Sequence, residues 1–168
     1  MGGAIDYKAW NVIFLVNDLP PARVLLLQRA ANKAFAPGLY TGVGGKVEPG
    51  ETPLASALRE LEEETGITGL PLAEFARVQI RPDLWLHYFY AVWDGAAPSI
   101  EDGTLIWSDT GAIFERKIIP TTQRLLAEWA RRGFGVERPF TMVMDEAQMV
   151  DGIRMVVVRD VKDGLAAA

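Results

Sequence analysis

A chain of 168 residues, 49% hydrophobic and 23% charged, is long enough for one domain with a sizeable core and too apolar for disorder. It has no cysteine, which excludes disulfides, thiolate metal sites and cysteine nucleophiles; no apolar run reaches the roughly 18 residues of a membrane span, and the opening MGGAIDYKAW has no basic-then-apolar leader. The net charge is −5, of which residues 45–67 carry −4 from six acids and two bases, so the remainder is near neutral and offers no basic stripe for long nucleic acid. These features fit a single domain over residues 1–168, cytoplasmic, acting on small molecules and not on a membrane.

Residues 10–18 read as a largely buried strand ending at Pro20-Pro21, and 23–29 as a second strand. The turn DLPPA between them predicts a hairpin. Residues 32–45 form a loop rich in glycine and small residues. A helix follows over 52–65: Thr52 can cap it, Pro53 suits the first helical position, and Gly66 ends it. Strands are expected at 72–81 and 84–93, joined at Pro82-Asp83, then a polar loop over 94–103. A short strand at 105–107 and a helical turn at 109–114 come next. Residues 121–132 read as an amphipathic helix with Leu125, Leu126 and Trp129 inward, ended by Gly133. Strands at 140–144 and 153–161 close the chain as a hairpin around DEAQMVDG. No internal repeat or linker divides the sequence. Strands with interspersed helices imply an α+β (mixed α/β) fold, one sheet system with helices on its faces.

The acidity is gathered on the first helix, in Glu60, Glu62, Glu63 and Glu64, with Glu51 one loop upstream. At about 100° per residue, Leu54, Leu58 and Leu61 share one stripe, expected to be buried. Glu60, Glu63 and Glu64 share another, with Glu62 outside it as a solvated charge. Two carboxylates about 4 Å apart repel by about 4 kcal/mol at an effective dielectric of about 20. Such a face either shifts its pKa values or holds cations, and oxygen-only ligands suit Mg²⁺ or Mn²⁺. A Glu-rich helix by itself is ordinarily a solvated face. Its flanks alter that reading: Gly44-Gly45-Lys46 allows close backbone approach, Pro49-Gly50 turns Glu51 back toward the helix, and Arg59 can hold a carboxylate in place.

The pattern G-x5-E-x7-R-E-U-x-E-E-x-G-U, with U apolar, is filled by Gly45, Glu51, Arg59, Glu60, Leu61, Glu63, Glu64, Gly66 and Ile67. It resembles the signature of the Nudix hydrolases at every fixed position. The resemblance implies an α/β/α sandwich with a mixed central sheet. It also implies hydrolysis of a nucleoside diphosphate linked to another group, by attack of water on phosphorus with Mg²⁺ or Mn²⁺ as cofactor. By position it makes Glu60, Glu63 and Glu64 the metal ligands, with the Gly44 carbonyl a further candidate. Glu51 would support the site, Arg59 would orient Glu51 or Glu60, and Glu60 and Glu63 are the candidates for the base. Many members recruit a carboxylate beyond the motif, for which Glu101 and Asp102 are available and spacing to Trp107 favours Asp102.

The motif leaves the substrate open. The stretch from Arg23 to Thr52 is similar to the branch acting on oxidised purine nucleoside triphosphates such as 8-oxo-dGTP. Within that resemblance Lys46, Tyr40, Thr41 and Thr122 are the substrate-binding candidates. The chain departs from the branch in having Thr41 where Asn is usual, and Thr121 and Thr122 where Asp or Asn is usual, so purine selectivity is expected to be weaker. Pro82 stands 15 residues after the motif, a spacing associated with ADP-ribose-type members, although a proline between two strands is ordinarily a turn. A catalytically silent nucleotide-binding module is the alternative of another class, against which the intact motif speaks. Phe35 and Tyr40 are placed to meet a base. Trp85, Tyr88, Phe89, Tyr90 and Trp93 are mostly core, and His87, the only histidine, is structural or on the surface. A free strand edge leaves a homodimer open.

Overall fold

The computed structural model describes residues 8–167, so the leader-free reading of the first residues lies outside the described part. In chain order the elements are β1 (Lys8–Val16), β2 (Arg23–Arg29), β3 (Tyr40–Thr41), α1 (Pro53–Thr65), β4 (Ala73–Arg81), β5 (Leu84–Val92), β6 (Gly103–Asp109), a 3-10 turn (Ile113–Glu115), α2 (Pro120–Arg131), β7 (Phe140–Val150) and β8 (Ile153–Asp163). The strands form one eight-stranded mixed sheet in the order β3-β2-β1-β5-β4-β7-β8, with β6 against β2. Pairing is parallel between β1 and β5 and between β4 and β7, and antiparallel elsewhere. β6 follows the whole of β2, while β1 and β3 meet different ends of β2.

The uninterrupted apolar runs of β1 and β2 follow from burial on both faces. Ile13, Leu15, Leu25 and Leu27 point to one face, where Ala57 and Leu61 of α1 cover them. Phe14, Val16, Val24 and Leu26 point to the other, where Leu125, Leu126 and Trp129 of α2 cover them. Trp129 stacks on Phe75 with ring centroids 4.2 Å apart. One helix on each face of a mixed sheet is the α/β/α sandwich.

Several elements run further than their sequence signals. β6 extends on both sides of residues 105–107 because it has all of β2 to pair with. The closing hairpin turns only at Asp151-Gly152, both with positive φ, so most of DEAQMVDG is strand. The pair Tyr40–Thr41, expected as loop, is drawn into the sheet by β2. Pro82 and Asp83 form the turn between β4 and β5.

Candidate active site

The acidic helix begins and ends as its residues dictate. The Thr52 hydroxyl accepts the Ala55 N–H at 3.1 Å, Pro53 opens the first turn, and Gly66 closes it at φ 77°. Its rotation differs from the expected leucine stripe. Leu61 is buried at 1% exposure, but Leu54 and Leu58 stand 42% and 39% exposed. The buried residues are instead Ser56, Ala57 and Leu61. Small side chains at Ser56 and Ala57 let the helix approach β1 closely, and the Ser56 hydroxyl accepts the Asn11 amide at 2.8 Å. The rotation has a consequence for charge: positions 60 and 64, one and two turns beyond Ser56, come round toward the sheet side. Glu60 is left only 16% exposed at its side chain.

The Gly42–Lys46 segment lies between this helix and β1. Asn11 N–H donates to the Gly45 carbonyl at 2.9 Å, and Ile13 and Val43 exchange both backbone bonds. A Cβ on Gly45 would meet the Glu60 carboxylate at 2.5 Å, while one on Gly44 would strike the Asn11 carbonyl. Glycine at 45 is therefore the residue that makes room for Glu60. Among the described residues no hydrogen bond engages the Gly44 carbonyl, whereas that of Gly45 is spent on Asn11.

Arg59 is the node of the site. Its Nε and Nη2 each donate to Glu51 at 2.8 Å, a bidentate fork. Its Nη1 donates to Glu60 at 3.0 Å and to Glu63 at 3.1 Å, and Nη2 reaches the Lys46 carbonyl at 3.3 Å. The turn at Pro49-Gly50 returns Glu51, whose Oε1 also accepts the Glu48 N–H at 3.0 Å. The hydrogen bond from Arg59 is the main influence holding the Glu51 carboxyl below its ordinary range. Glu64 goes the other way: burial, and then the negative charges of Glu60 and Asp102, push it up to about 7.

Glu60, Glu63 and Glu64, the ligands expected from the motif, do not stand gathered on one point in this structure. Among the described residues no group of three acidic or histidine side chains stands ready to hold a metal. The physical reason is Arg59, which draws Glu51, Glu60 and Glu63 to itself; Glu63, 59% exposed, lies on the outer side of that fork. The residues nonetheless fit a hard divalent ion. The donors are all oxygen, Glu60 has a glycine cradle, and Glu64 is a crowded carboxylate without a hydrogen-bonded cation among the described residues.

The other expected site residues are distributed differently. Asp102 lies close enough to act on Glu64 electrostatically and pairs with Lys33 at 2.8 Å. Lys46 is exposed, and it takes part in the site through its backbone carbonyl. Tyr40 is half-buried under Arg116, whose Nη1 donates to its hydroxyl at 3.1 Å. Thr41 and Thr122 are both buried, their hydroxyls 3.4 Å apart, with the Tyr88 hydroxyl 3.3 Å from Thr122. Phe35 is exposed, and Trp85, Tyr88 and Phe89 are core. His87 is buried and structural, 2.8 Å from Glu74, which also pairs with Arg77. A cavity of about 400 Å³ opens between Leu39, Arg116, Ile118 and the tip of the β7–β8 hairpin, but none of the motif's residues line it. Sequence reasoning missed the Asn11–Ser56 bond and Lys33. No local pattern announces either, although Gly45, and not Gly44, is the motif's fixed glycine.

A family model described as NUDIX domain matches residues 8–128. The chain belongs to the Nudix family. The uncharacterized Nudix hydrolase YfcD of Escherichia coli is 32% identical over 118 residues, covering 66% of each chain. The chain thus spans just under two thirds of that relative's length. The 8-oxo-dGTP diphosphatase of Haemophilus influenzae is 32% identical over 108 residues, 62% of this chain and 79% of that one. The crystal structure of the MutT protein from Bacillus halodurans superposes with a TM-score of 0.65 at 19% identity, covering 93% of this chain and 97% of that chain, a likeness of fold. Among the described residues no helix is long and apolar enough to cross a membrane.

Proposed function

We propose that this Nudix protein is a Mg²⁺- or Mn²⁺-dependent diphosphatase that cleaves nucleoside triphosphates, oxidised purine ones included, to the monophosphate and pyrophosphate. The observation that carries the reading is the Arg59 node, which holds Glu51 and Glu60 beside the Gly44-Gly45 strip, with Glu64 and Asp102 adjoining. The name of the Haemophilus influenzae relative supports the substrate class.

In this reading Glu60, Glu63, Glu64, the Gly44 carbonyl and Asp102 are the groups that would hold the ion. When bound, the ion neutralises the diphosphate and stabilises charge on the leaving oxygen. Arg59 keeps Glu51 and Glu60 in fixed orientations. A water oxygen bonds to phosphorus, the anhydride P–O bond breaks toward pyrophosphate, and the water's proton passes to a carboxylate, Glu60 or Glu63. Lys46 and Tyr40 meet the phosphates and the base. Thr41 and Thr122 serve the base edge through hydroxyls that both donate and accept, which favours broad rather than strict purine choice.

The test is a panel of nucleoside triphosphates, their oxidised forms and ADP-ribose incubated with Mg²⁺, with products identified. Monophosphate and pyrophosphate from a triphosphate support the proposal. AMP with ribose phosphate from ADP-ribose, and no triphosphate cleavage, would refute it.

A further inference from the structure

We propose that Lys33 is a built-in counter-cation that pairs with Asp102 in the metal-free protein and competes with a divalent ion for it. The inference rests on the reading of Asp102 as a metal ligand and goes beyond it, since nothing in the motif involves residue 33.

The Lys33 Nζ lies 2.8 Å from Asp102 Oδ1. This is no chance meeting of two long side chains. The Ala30 N–H donates to the Asp102 carbonyl at 3.3 Å, and the Lys33 N–H donates to the Ala30 carbonyl at 3.2 Å. Arg29 and Gly103 are register partners at the end of the β2–β6 ladder. A Cβ on Gly103 would collide with the Gln28 carbonyl, so the two strands approach closely there. Two backbone bonds and a strand pair thus place the 30–33 turn beside the Asp102 turn. The aspartate itself is short; Lys33 is 32% exposed at its side chain and Asp102 72%.

Glu64 feels this pair: Glu60 and Asp102 both act on it as negative charges, and Lys33 and Arg29 as positive ones. The ammonium therefore sits at the rim of the same carboxylate group that would take up the ion. It takes up Oδ1, one of the two Asp102 oxygens on which an ion could draw. An ordinary surface ion pair contributes little, but here the pair competes with the ion for one carboxylate. Binding of the ion carries the free energy of breaking the pair, so the lysine weakens metal affinity. The same contact screens Asp102 from Glu64 while the ion is absent.

The experiment is calorimetric titration of Mn²⁺ alone into EDTA-treated wild type, Lys33→Met, Asp102→Asn and the double variant, with thermal unfolding as a check on folding. Lys33→Met should bind Mn²⁺ about two- to fivefold more tightly than wild type, the scale of an exposed ion pair. In the Asp102→Asn background the same substitution should change nothing. Equal or weaker binding by Lys33→Met overturns the inference and leaves the proposed function standing. So does a gain of the same size without Asp102. Failure of the wild type to bind Mn²⁺ overturns both.

Discussion

Arg59 grips Glu51 through two parallel hydrogen bonds of 2.8 Å, and the same guanidinium reaches Glu60 and Glu63. One side chain therefore sets the orientation of three carboxylates. Lysine cannot reproduce a planar fork. Arg59→Lys should lower turnover of the best nucleotide about 10- to 100-fold, the usual effect of losing a group that orients ligands. Arg59 is partly exposed, so the melting temperature should move little. Steady-state kinetics beside a thermal melt checks both, and unaltered turnover would show that the fork is ornamental.

The two glycines at the head of the motif should separate site from scaffold. A methyl at 45 presses on the flexible end of Glu60, whereas one at 44 strikes the backbone of β1. Gly45→Ala should keep a near-native melt while weakening Mn²⁺ affinity about 10-fold or more. Gly44→Ala should melt clearly lower.

The helix rotation predicts unequal leucines. Leu61→Ala removes a fully buried side chain and should cost about 2–5 kcal/mol. Leu58→Ala, on the exposed side, should stay within about 0.5 kcal/mol. Urea denaturation of the two variants decides this; equal losses would mean that the leucine stripe is buried after all.

Glu64 gives the metal-free protein a pH signature. Its carboxyl, raised from an ordinary 4.5 to about 7, binds a proton in the folded state over a range where the unfolded chain has released it. Its contribution to stability is therefore greatest below about 4.5 and is lost as pH rises through 7. Glu64→Gln mimics the protonated form. In EDTA, its melting temperature relative to wild type should be higher at pH 8 than at pH 5. A difference that stays constant with pH would contradict the assignment.

What the sequence made legible was local chemistry. Thr52, Pro53 and Gly66 bounded α1 to within a residue, and Leu125, Leu126 and Trp129 marked the inner side of α2. The motif brought Glu51, Arg59 and Glu60 together at the spacings that a turn and a helix require. What failed depended on partners distant in sequence. The stripe of Leu54 and Leu58 looked like a core face, but the helix seats on Ser56 and Ala57 because Asn11 of β1 supplies a partner for Ser56. The meeting of Thr41, Thr122 and Tyr88 hydroxyls is equally long-range, since only the sheet and α2 bring them together. Lys33 carries no pattern at all; only the pairing of β2 with β6 places it at Asp102.

The most direct test of the whole account is pyrophosphate release from a nucleoside triphosphate by EDTA-treated protein, before and after Mg²⁺ is restored. Release should be absent in EDTA and recover fully with Mg²⁺. Release that continues undiminished in EDTA, or that never appears with Mg²⁺ across the triphosphate panel, would contradict it.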